Sequence, residues 1–196
     1  MPTEEYEVKF LNIDPAAIER RVLELGGAQV FDRVFRRAVF DYADLRLDEQ
    51  GAWVRVRDEG DKVTFSYKQR LGYQKGADIN QNDQGMLEEE VAVSDFETVC
   101  AMLRHIGLVD KFYQENRRVQ YRLDGVEIDV DYWPQLPPYV EIEAESWAKV
   151  DETIGRLGLD PADKKLFSTT QVYAQAGIRD KDYRIMTFDR MVKRDE

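Results

Sequence analysis

The sequence has very little of the residue types that carry much of enzyme chemistry. It has one cysteine, Cys100, and one histidine, His105, among 196 residues. An internal disulfide framework and a zinc site built from cysteines are therefore excluded. His105 falls to the side of the apolar stripe of a predicted helix, so we expect neither a histidine-based triad nor a histidine-based metal site.

Several motifs of nucleotide and metal chemistry are also missing. The chain has no GxxxxGK phosphate loop, no GxGxxG turn and no HExxH helix. It has no apolar run of membrane-spanning length and no signal-peptide pattern, so we expect no membrane partner and a cytoplasmic location. The net charge of −11 argues against nucleic acid as a partner. A monomer or a homodimer is expected.

Apolar and charged residues alternate along most of the predicted strands. The strands are predicted at 3–11, 29–42, 52–58, 61–70, 86–93, 112–123, 126–133 and 139–145. Helices are predicted at 15–25, 95–107, 148–158 and 163–176. Eight strands with a few helices predict an α+β fold whose sheet is mainly antiparallel.

The stretch EYEVKF at the N-terminus shows the alternation that recurs in WVRVR, VEIDVDYW and YVEIEAE. For one strand alone, a half-exposed sheet with its charged side in water is the simpler interpretation. Here nearly every strand has a face rich in arginine or paired carboxylates, and the amphipathic helices must cover the apolar faces. We therefore expect an eight-stranded, closed or nearly closed β-barrel with helices packed outside and a charged tunnel inside.

The chain shows no internal linker. We expect one domain at residues 1–177 and a tail at 178–196 that contains a short helix. The segment 71–85 is rich in glycine and amide side chains, and it predicts a mobile loop near the tunnel mouth.

Glu5, Glu7 and Lys9 form an ExExK pattern, which resembles the signature of the CYTH superfamily, the triphosphate tunnel metalloenzymes. VFDYADLRL resembles the stretch that precedes the family's Arg-x-Arg strand. Further matches follow in order: Arg55 and Arg57, Lys68, Glu88 and Glu90, Arg118 with Tyr121, and then Asp131, Leu136, Tyr139, Glu141 and Glu143 in a D…L-G-x-F-x-E-x-E pattern. The resemblance spans residues 3–175.

Three positions depart from the family pattern. Pro137 replaces a glycine, Asn116 stands where lysine is common, and Met86 stands where arginine is common. These departures leave the expected phosphate-binding set short of positive charge. The late helix of the family usually offers a basic residue, for which Lys164 or Lys165 is available.

The resemblance implies a role for each matched position. Arginine grips phosphate oxygens with two donors and lysine acts as a point charge, whereas carboxylates need a divalent cation between them and phosphate. The expected substrate-binding residues are Lys9, Arg55, Arg57, Lys68, Arg118 and Lys165. The expected ligands of Mg²⁺ or Mn²⁺ are Glu5, Glu7, Asp131, Glu141 and Glu143. The expected catalytic residues are Lys9, Glu88 and Glu90.

The resemblance implies an enzyme that acts on a small triphosphate-containing substrate. Divalent-metal-dependent hydrolysis of tripolyphosphate, thiamine triphosphate or a nucleoside triphosphate is the first hypothesis. A class IV adenylyl cyclase, which makes cyclic AMP and pyrophosphate from ATP, is the second. A non-catalytic module that binds polyphosphate or a nucleotide is the third.

Overall fold

A computed structural model describes residues 6–73 and 86–194, without the side chain of Met86. These residues form ten β-strands and four α-helices. The strands are β1 (Tyr6–Phe10), β2 (Ala28–Asp41), β3 (Ala52–Asp58), β4 (Val63–Arg70), β5 (Met86–Val93), β6 (Val109–Leu123), β7 (Val126–Tyr132), β8 (Tyr139–Ala144), β9 (Tyr183–Met186) and β10 (Met191–Lys193). The helices are α1 (Pro15–Glu24), α2 (Phe96–His105), α3 (Trp147–Leu157) and α4 (Thr169–Gln175). Within the described ranges, no helix combines the length and apolar character that a membrane span needs.

The strands form one mixed sheet that is mainly antiparallel. Their order is β1-β8-β7-β6-β2-β3-β4-β5, with β9 beside β6 and β10 beside β9. The β6–β9 pair is parallel, and the other pairs with a defined register are antiparallel. This confirms the α+β prediction. Over the described part of the chain the order runs from β1 to β5 without closing, so the predicted barrel is not confirmed.

The chain divides into two compact units. Over the described residues, the first unit contains 35–73, 86–115 and 183–194, and the second contains 6–34 and 116–182. The long strands β2 and β6 contribute residues to both units.

The second unit packs one face of β1, β6, β7 and β8 against helices α1 and α3. Asp14 caps α1 by accepting from the backbone N–H of Ala16, and Pro15 occupies the first turn. Glycine at position 158, in the left-handed region with φ +75°, ends α3. The buried core side chains from the strands and both helices include Val8, Ile18, Val22, Ile128, Val140, Ile142, Val150 and Ile154.

The first unit packs α2 against β2 and β3. Asp95 caps α2 by accepting from the N–H of Thr98 at 2.7 Å. The buried residues of this core are Ala38, Phe40, Val56, Phe96, Cys100, Leu103 and Leu108. His105, in the last turn of α2, is exposed, which agrees with its exclusion from chemistry.

The predicted helix at 163–176 is wrong in its first half. Pro161–Asp163 form a 3-10 turn, and α4 begins only at Thr169, where Ser168 and Gln171 form a capping box. Between them, Lys165 pairs with Lys9 through two backbone hydrogen bonds of 2.8 and 2.9 Å. These strand-like bonds take the backbone groups that a helix would have used.

The tail contains two short strands, where a short helix was expected. Asp180–Asp182 form one 3-10 turn, and β9 and β10 follow as an antiparallel pair. β7 pairs with β6 only at residues 117–123, and β9 pairs with β6 at Tyr113 and Gln114. The tail thus completes hydrogen bonding along a part of β6 that β7 does not reach. Of the predicted loop at 71–85, residues 74–85 lie outside the described residues.

Asp41 at the end of β2 organises the turn that leads to β3. Its fully buried carboxylate accepts from the backbone N–H groups of Tyr42, Leu47 and Asp48 at 2.7, 3.0 and 2.9 Å. Three backbone donors thus depend on one side chain for their partners.

We expect Asp41→Ala to lower the free energy of unfolding by about 3 kcal/mol, because it leaves three partly buried donors without an acceptor. Chemical denaturation of wild type and variant measures this change. Asp44→Ala, which removes an exposed carboxylate from the same turn, is the matched control and should unfold like wild type. Equal stability of both variants would contradict the role given to Asp41.

Candidate active site

Charged side chains of the second unit share one face of β1, β8, β7 and β6. The register places Lys9 opposite Glu141, Glu141 opposite Asp129, and Arg118 opposite Asp131. Directly opposite residues of antiparallel strands carry their side chains on the same face. The alternation in the sequence therefore predicted this face correctly, since the core residues of the same strands occupy the other one.

Arg118 lies at the centre of this charged face. It donates from Nε and Nη2 to the two oxygens of Asp131, both at 2.7 Å, and from Nη1 to Asp129 at 2.5 Å. It also donates to Glu141. Burial alone would lower its pKa, but Asp131 and Glu141 outweigh burial and raise the pKa of Arg118 well above its usual value.

Lys9 forms the second positive centre. It pairs with Glu7 and, at 3.0 Å, with Glu141. Burial opposes its charge, but the Glu141 and Glu7 carboxylates raise the pKa of Lys9 above its ordinary value. Burial likewise opposes the charge of Glu141, yet Arg118 and Lys9 lower its pKa to about 2. Lys9 and Glu141 are therefore both charged at neutral pH.

The face holds more carboxylates than cations. Four cations, Lys9, Arg118, Arg122 and Lys165, share it with six carboxylates, those of Glu7, Glu127, Asp129, Asp131, Glu141 and Glu143. The surplus is visible at Asp129, because burial raises its pKa to about 7 although Arg118 acts against this. A buried oxygen of Asp129, Oδ1, has no hydrogen-bond partner among the described residues.

Three of these carboxylates form a row across the strands, and one of them, Glu127, pairs with Arg122. Glu7 is opposite Glu143, and Glu143 is opposite Glu127 on the next strand. Like charges at directly opposite positions destabilise a sheet. Burial and Glu141 raise the pKa of Glu7, although Lys9 and Arg118 act against this. A divalent cation would relieve the repulsion.

The carboxylates are not arranged as a ready metal centre. Over residues 6–73 and 86–194, no group of three or more Asp, Glu, His or Cys side chains converges in a way that could hold an ion. The reason is visible at Asp131 and Glu141, whose oxygens accept from Arg118 and Lys9. Glu5, the remaining predicted ligand, lies outside the described residues.

The first unit carries a second charged set on β3, β4 and β5. Arg55 is opposite Ser66, Ser66 is opposite Glu90, and Lys68 is opposite Glu88. Arg55 pairs with Glu88 at 3.2 Å and Glu90 at 3.3 Å, and Lys68 pairs with Glu88 at 2.6 Å. These four predicted site residues therefore come together on one face.

Arg57 lies on the same face, two residues beyond Arg55. It pairs with Glu59 at 2.5 Å. Burial and the neighbouring Arg57 lower the pKa of Arg55 to about 10, and burial and Arg55 also lower the pKa of Lys68. Because neighbouring cations repel one another, such a set favours the binding of an anion.

Hydrogen-bond donors on this face lack acceptors. The buried atoms Nε of Arg55, Nε of Arg57, Oγ1 of Thr64 and Oγ of Ser66 have no hydrogen-bond partner among the described residues. Thr64 is opposite Arg57, just as Ser66 is opposite Arg55, so the four donors share adjacent positions of two strands. Unpaired buried donors are rare in proteins and indicate a missing acceptor.

Two of the three departures, Asn116 and Met86, and the late lysine lie at different places in the structure. Asn116 is fully buried and donates to Asp131 at 3.4 Å, where a lysine would add a charge. Met86 begins β5, and its side chain is outside the description. Lys165 pairs with Lys9 in an antiparallel bridge, which places both side chains on the charged face. Lys164 instead pairs with Asp151 at 2.9 Å.

Sequence reasoning missed several members of these sets as site residues, among them Arg37, Asp129, Ser66 and Thr64. Arg37 is opposite Arg57 on β2, and Asp129 contacts Arg118. Ser66 contributes an unpaired hydroxyl. The alternation in FRRAVFD and VEIDVDYW contained the signal for the first two, but the pairing of strands was needed to read it.

The sequence matches the family model of the CYTH domain over residues 3–164. The chain belongs to the CYTH domain family. No curated protein is significantly similar to this CYTH chain in sequence. The N-terminal ExExK pattern and the strands that carry both charged sets lie inside the matched region, whereas β9 and β10 lie beyond it.

Solved structures share the CYTH fold at low sequence identity. The PH1012 protein of Pyrococcus horikoshii OT3 is 20% identical, with a TM-score of 0.66 over 86% of this chain and 99% of that one. A candidate adenylate cyclase of Vibrio parahaemolyticus is 13% identical, with a TM-score of 0.68 over 89% and 99%. HpAC1 of Hippeastrum, described as having a dominant triphosphatase activity, is 15% identical, with a TM-score of 0.60 over 89% and 95%. At these identities the likeness concerns the fold.

The raised pKa of Asp129 predicts a pH-dependent effect of Asp129→Asn. An unfolded aspartate titrates near pH 4 and the folded one near 7. Stability is therefore lost as pH rises between these values, because the unfolded state releases a proton that the folded state retains, and the loss levels off above 7. Asparagine does not titrate, so the variant's gain in melting temperature over wild type should grow from pH 4 to 7 and then stay constant.

Thermal unfolding in a chelating buffer from pH 4 to 9 tests this expectation. Asp124→Asn replaces an exposed aspartate of the same unit and serves as the control, with no pH-dependent gain. A difference in melting temperature between Asp129→Asn and wild type that is independent of pH would show that ionisation of Asp129 does not destabilise the folded state.

Proposed function

We propose that this protein hydrolyses a phosphoanhydride bond of a triphosphate with the help of Mg²⁺ or Mn²⁺. The observation that carries the proposal is the set of buried donors without acceptors on β3 and β4. Triphosphate oxygens are strong acceptors, and they carry the negative charge that crowded cations favour. An enclosed tunnel around the substrate remains a prediction of the proposal.

In this proposal the cations of the first unit bind phosphate oxygens. Arg55 and Arg57 each offer a forked guanidinium, and Lys68 adds a point charge. Ser66 and Thr64 offer neutral donors beside them. Glu88 and Glu90 hold Arg55 and Lys68 in position in the ligand-free protein, and we retain both as candidates for orienting the attacking water.

The carboxylates of the second unit are the proposed cation ligands. Glu7, Asp131, Glu141 and Glu143 have the oxygen chemistry that Mg²⁺ and Mn²⁺ prefer, and the surplus negative charge and the unpaired oxygen of Asp129 fit an added cation. Glu5 is kept as a further ligand. A bound divalent cation supplies neutralisation of phosphate charge. Lys9, Arg118 and Lys165 remain proposed phosphate contacts, and Lys9 and Arg118 must exchange carboxylate partners for phosphate when the ligand enters.

The residues of the two charged sets would serve a hydrolase or a cyclase. Phosphoryl transfer needs mainly positioning and charge stabilisation, which these sets provide without histidine or cysteine. Structures that share the fold are named both as candidate adenylate cyclases and as a protein with dominant triphosphatase activity. The cyclase is therefore the second candidate, and a binding module without turnover is the third.

The test is to incubate the purified protein with tripolyphosphate, thiamine triphosphate and ATP, each with Mg²⁺, Mn²⁺ or a chelator. We expect release of inorganic phosphate from at least one substrate and loss of that release in the chelator. Cyclic AMP and pyrophosphate from ATP would favour the cyclase. Tight binding without any product would favour the binding module and refute the hydrolase.

Arg57→Lys should separate a phosphate-binding arginine from a structural one. The variant keeps the charge but loses the forked donor pair, so we expect normal folding and turnover reduced by about 10²-fold. Steady-state kinetics and circular dichroism measure the two effects. Arg36→Lys is the control, since Arg36 pairs with Asp58 and stacks on Phe96 of α2 and should keep wild-type turnover. Full turnover in Arg57→Lys would refute the assignment.

A further inference from the structure

One row of residues across the first unit's sheet contains two arginines and no carboxylate. Arg37 on β2 is opposite Arg57 on β3, Arg57 is opposite Thr64 on β4, and Thr64 is opposite Ala92 on β5. Directly opposite residues of antiparallel strands carry their side chains on the same face. We call these four residues the Arg37 row.

The neighbouring row on the same face has a different balance of charge. It consists of Val39, Arg55, Ser66 and Glu90. Its single arginine pairs with Glu88 at 3.2 Å and with Glu90 at 3.3 Å. In the Arg37 row, Arg57 pairs with one carboxylate, Glu59, which lies beyond the end of β3 and is shared with Lys62 at 3.3 Å. Positive charge is therefore concentrated in the Arg37 row.

Packing of the first unit does not require two arginines at these positions. Ala38 and Val56, the residues next to them along β2 and β3, face the core formed with α2. Arg37 and Arg57 lie on the other face, and like charges at directly opposite positions destabilise a sheet. The pair is therefore a cost that the apolar core does not explain, as expected of residues placed for a ligand.

Two donors of the Arg37 row also indicate a missing acceptor. Thr64 is 3% exposed, and neither its Oγ1 nor the buried Nε of Arg57 has a hydrogen-bond partner among the described residues. Residues at directly opposite positions have Cβ atoms about 5 Å apart. One acceptor group with several oxygens, placed beside them, would therefore satisfy both donors.

We propose that Arg37 is a further phosphate-binding residue, which together with Arg57 and Thr64 holds a terminal phosphate group without the help of a metal ion. A terminal phosphate group carries about two negative charges and three free oxygens, and an internal one carries fewer of both. Two opposed arginines match the charge of the terminal group, and the hydroxyl of Thr64 adds a neutral donor. The inference rests on the proposed function for the identity of the anion.

Calorimetric titration with tripolyphosphate in a chelating buffer tests this inference. We expect Arg37→Gln to bind tripolyphosphate about tenfold more weakly than wild type, because a charged hydrogen-bond donor is lost. Arg37→Met removes the same charge at a similar side-chain length, so either variant that keeps the wild-type circular dichroism spectrum gives the measurement. Arg37→Lys keeps the charge but loses the forked donors, and its affinity should lie between those of Arg37→Gln and wild type.

Arg36→Gln is the matched control. Arg36 precedes Arg37 on β2, lies on the opposite face of the strand and pairs with Asp58 at 2.9 Å. Its replacement changes the net charge of the protein by the same amount, but it should leave the affinity for tripolyphosphate at the wild-type value. An equal loss of affinity in Arg36→Gln and Arg37→Gln would show a general effect of charge and would overturn the inference.

A double-mutant cycle tests whether Arg37 and Arg57 hold the same phosphate group. The affinities of Arg37→Gln, Arg57→Gln and the double variant are compared with that of wild type. Residues that contact one group are coupled, so the loss in the double variant should differ from the product of the two single losses. A loss equal to that product would contradict a shared phosphate.

The titrations also separate this inference from the proposed function. Wild-type affinity in the folded Arg37 variants would overturn the inference, and so would a wild-type protein that binds no tripolyphosphate in the chelating buffer. If the protein hydrolyses a triphosphate in either of these cases, the proposed function stands and only the inference fails. If tripolyphosphate binds more weakly to the Arg37 variants but no triphosphate is hydrolysed, only the proposed function fails.

Discussion

Burial of charge around Arg118 is the constraint on which the second unit depends. Moving an ion out of water costs several kcal/mol, and only close opposite charges with satisfied hydrogen bonds offset that cost. Asp131 is 1% exposed, and both of its oxygens accept from Arg118, so neither residue is tolerable there without the other. Asp129 and Glu141 complete the pairing. These contacts fix which residues of β6, β7 and β8 must lie beside one another.

Burial of the apolar faces of these strands requires the same strand register as the charged contacts. A slip of one residue in a strand exchanges its two faces. In β8 such a slip would turn Val140 and Ile142, both fully buried, toward the carboxylates and would press Glu141 into the core formed with α1 and α3. Packing and electrostatics therefore favour one register together. This agreement explains how the unit keeps a surplus of negative charge without losing its fold.

The alternation of faces along each strand could be predicted from the sequence because it is a local property. The residues that lie opposite one another on neighbouring strands could not be predicted in this way. The faces of Glu7 and Arg118 follow from counting by two, but the facts that Arg37 meets Arg57 and that Asp129 meets Arg118 depend on long-range register. The prediction of a helix at 163–176 was wrong in its first half for the same reason, because the backbone of Lys165 forms hydrogen bonds with the distant Lys9. Family resemblance supplied the assignment of roles, which geometry by itself does not provide.

The two charged sets are unsatisfied in opposite senses. The first unit has donors without acceptors at Arg55, Arg57 and Ser66, and the second has more carboxylates than cations, among them Asp129, whose pKa is raised first by burial and then by Asp131 and Glu141. A phosphate oxygen would supply the acceptor that the first set lacks, and a divalent cation would offset the surplus of the second, so the proposed function accounts for each set separately. Each unit thus carries on one face of its strands an electrostatic cost that its apolar core does not require, as expected where stability has been exchanged for binding.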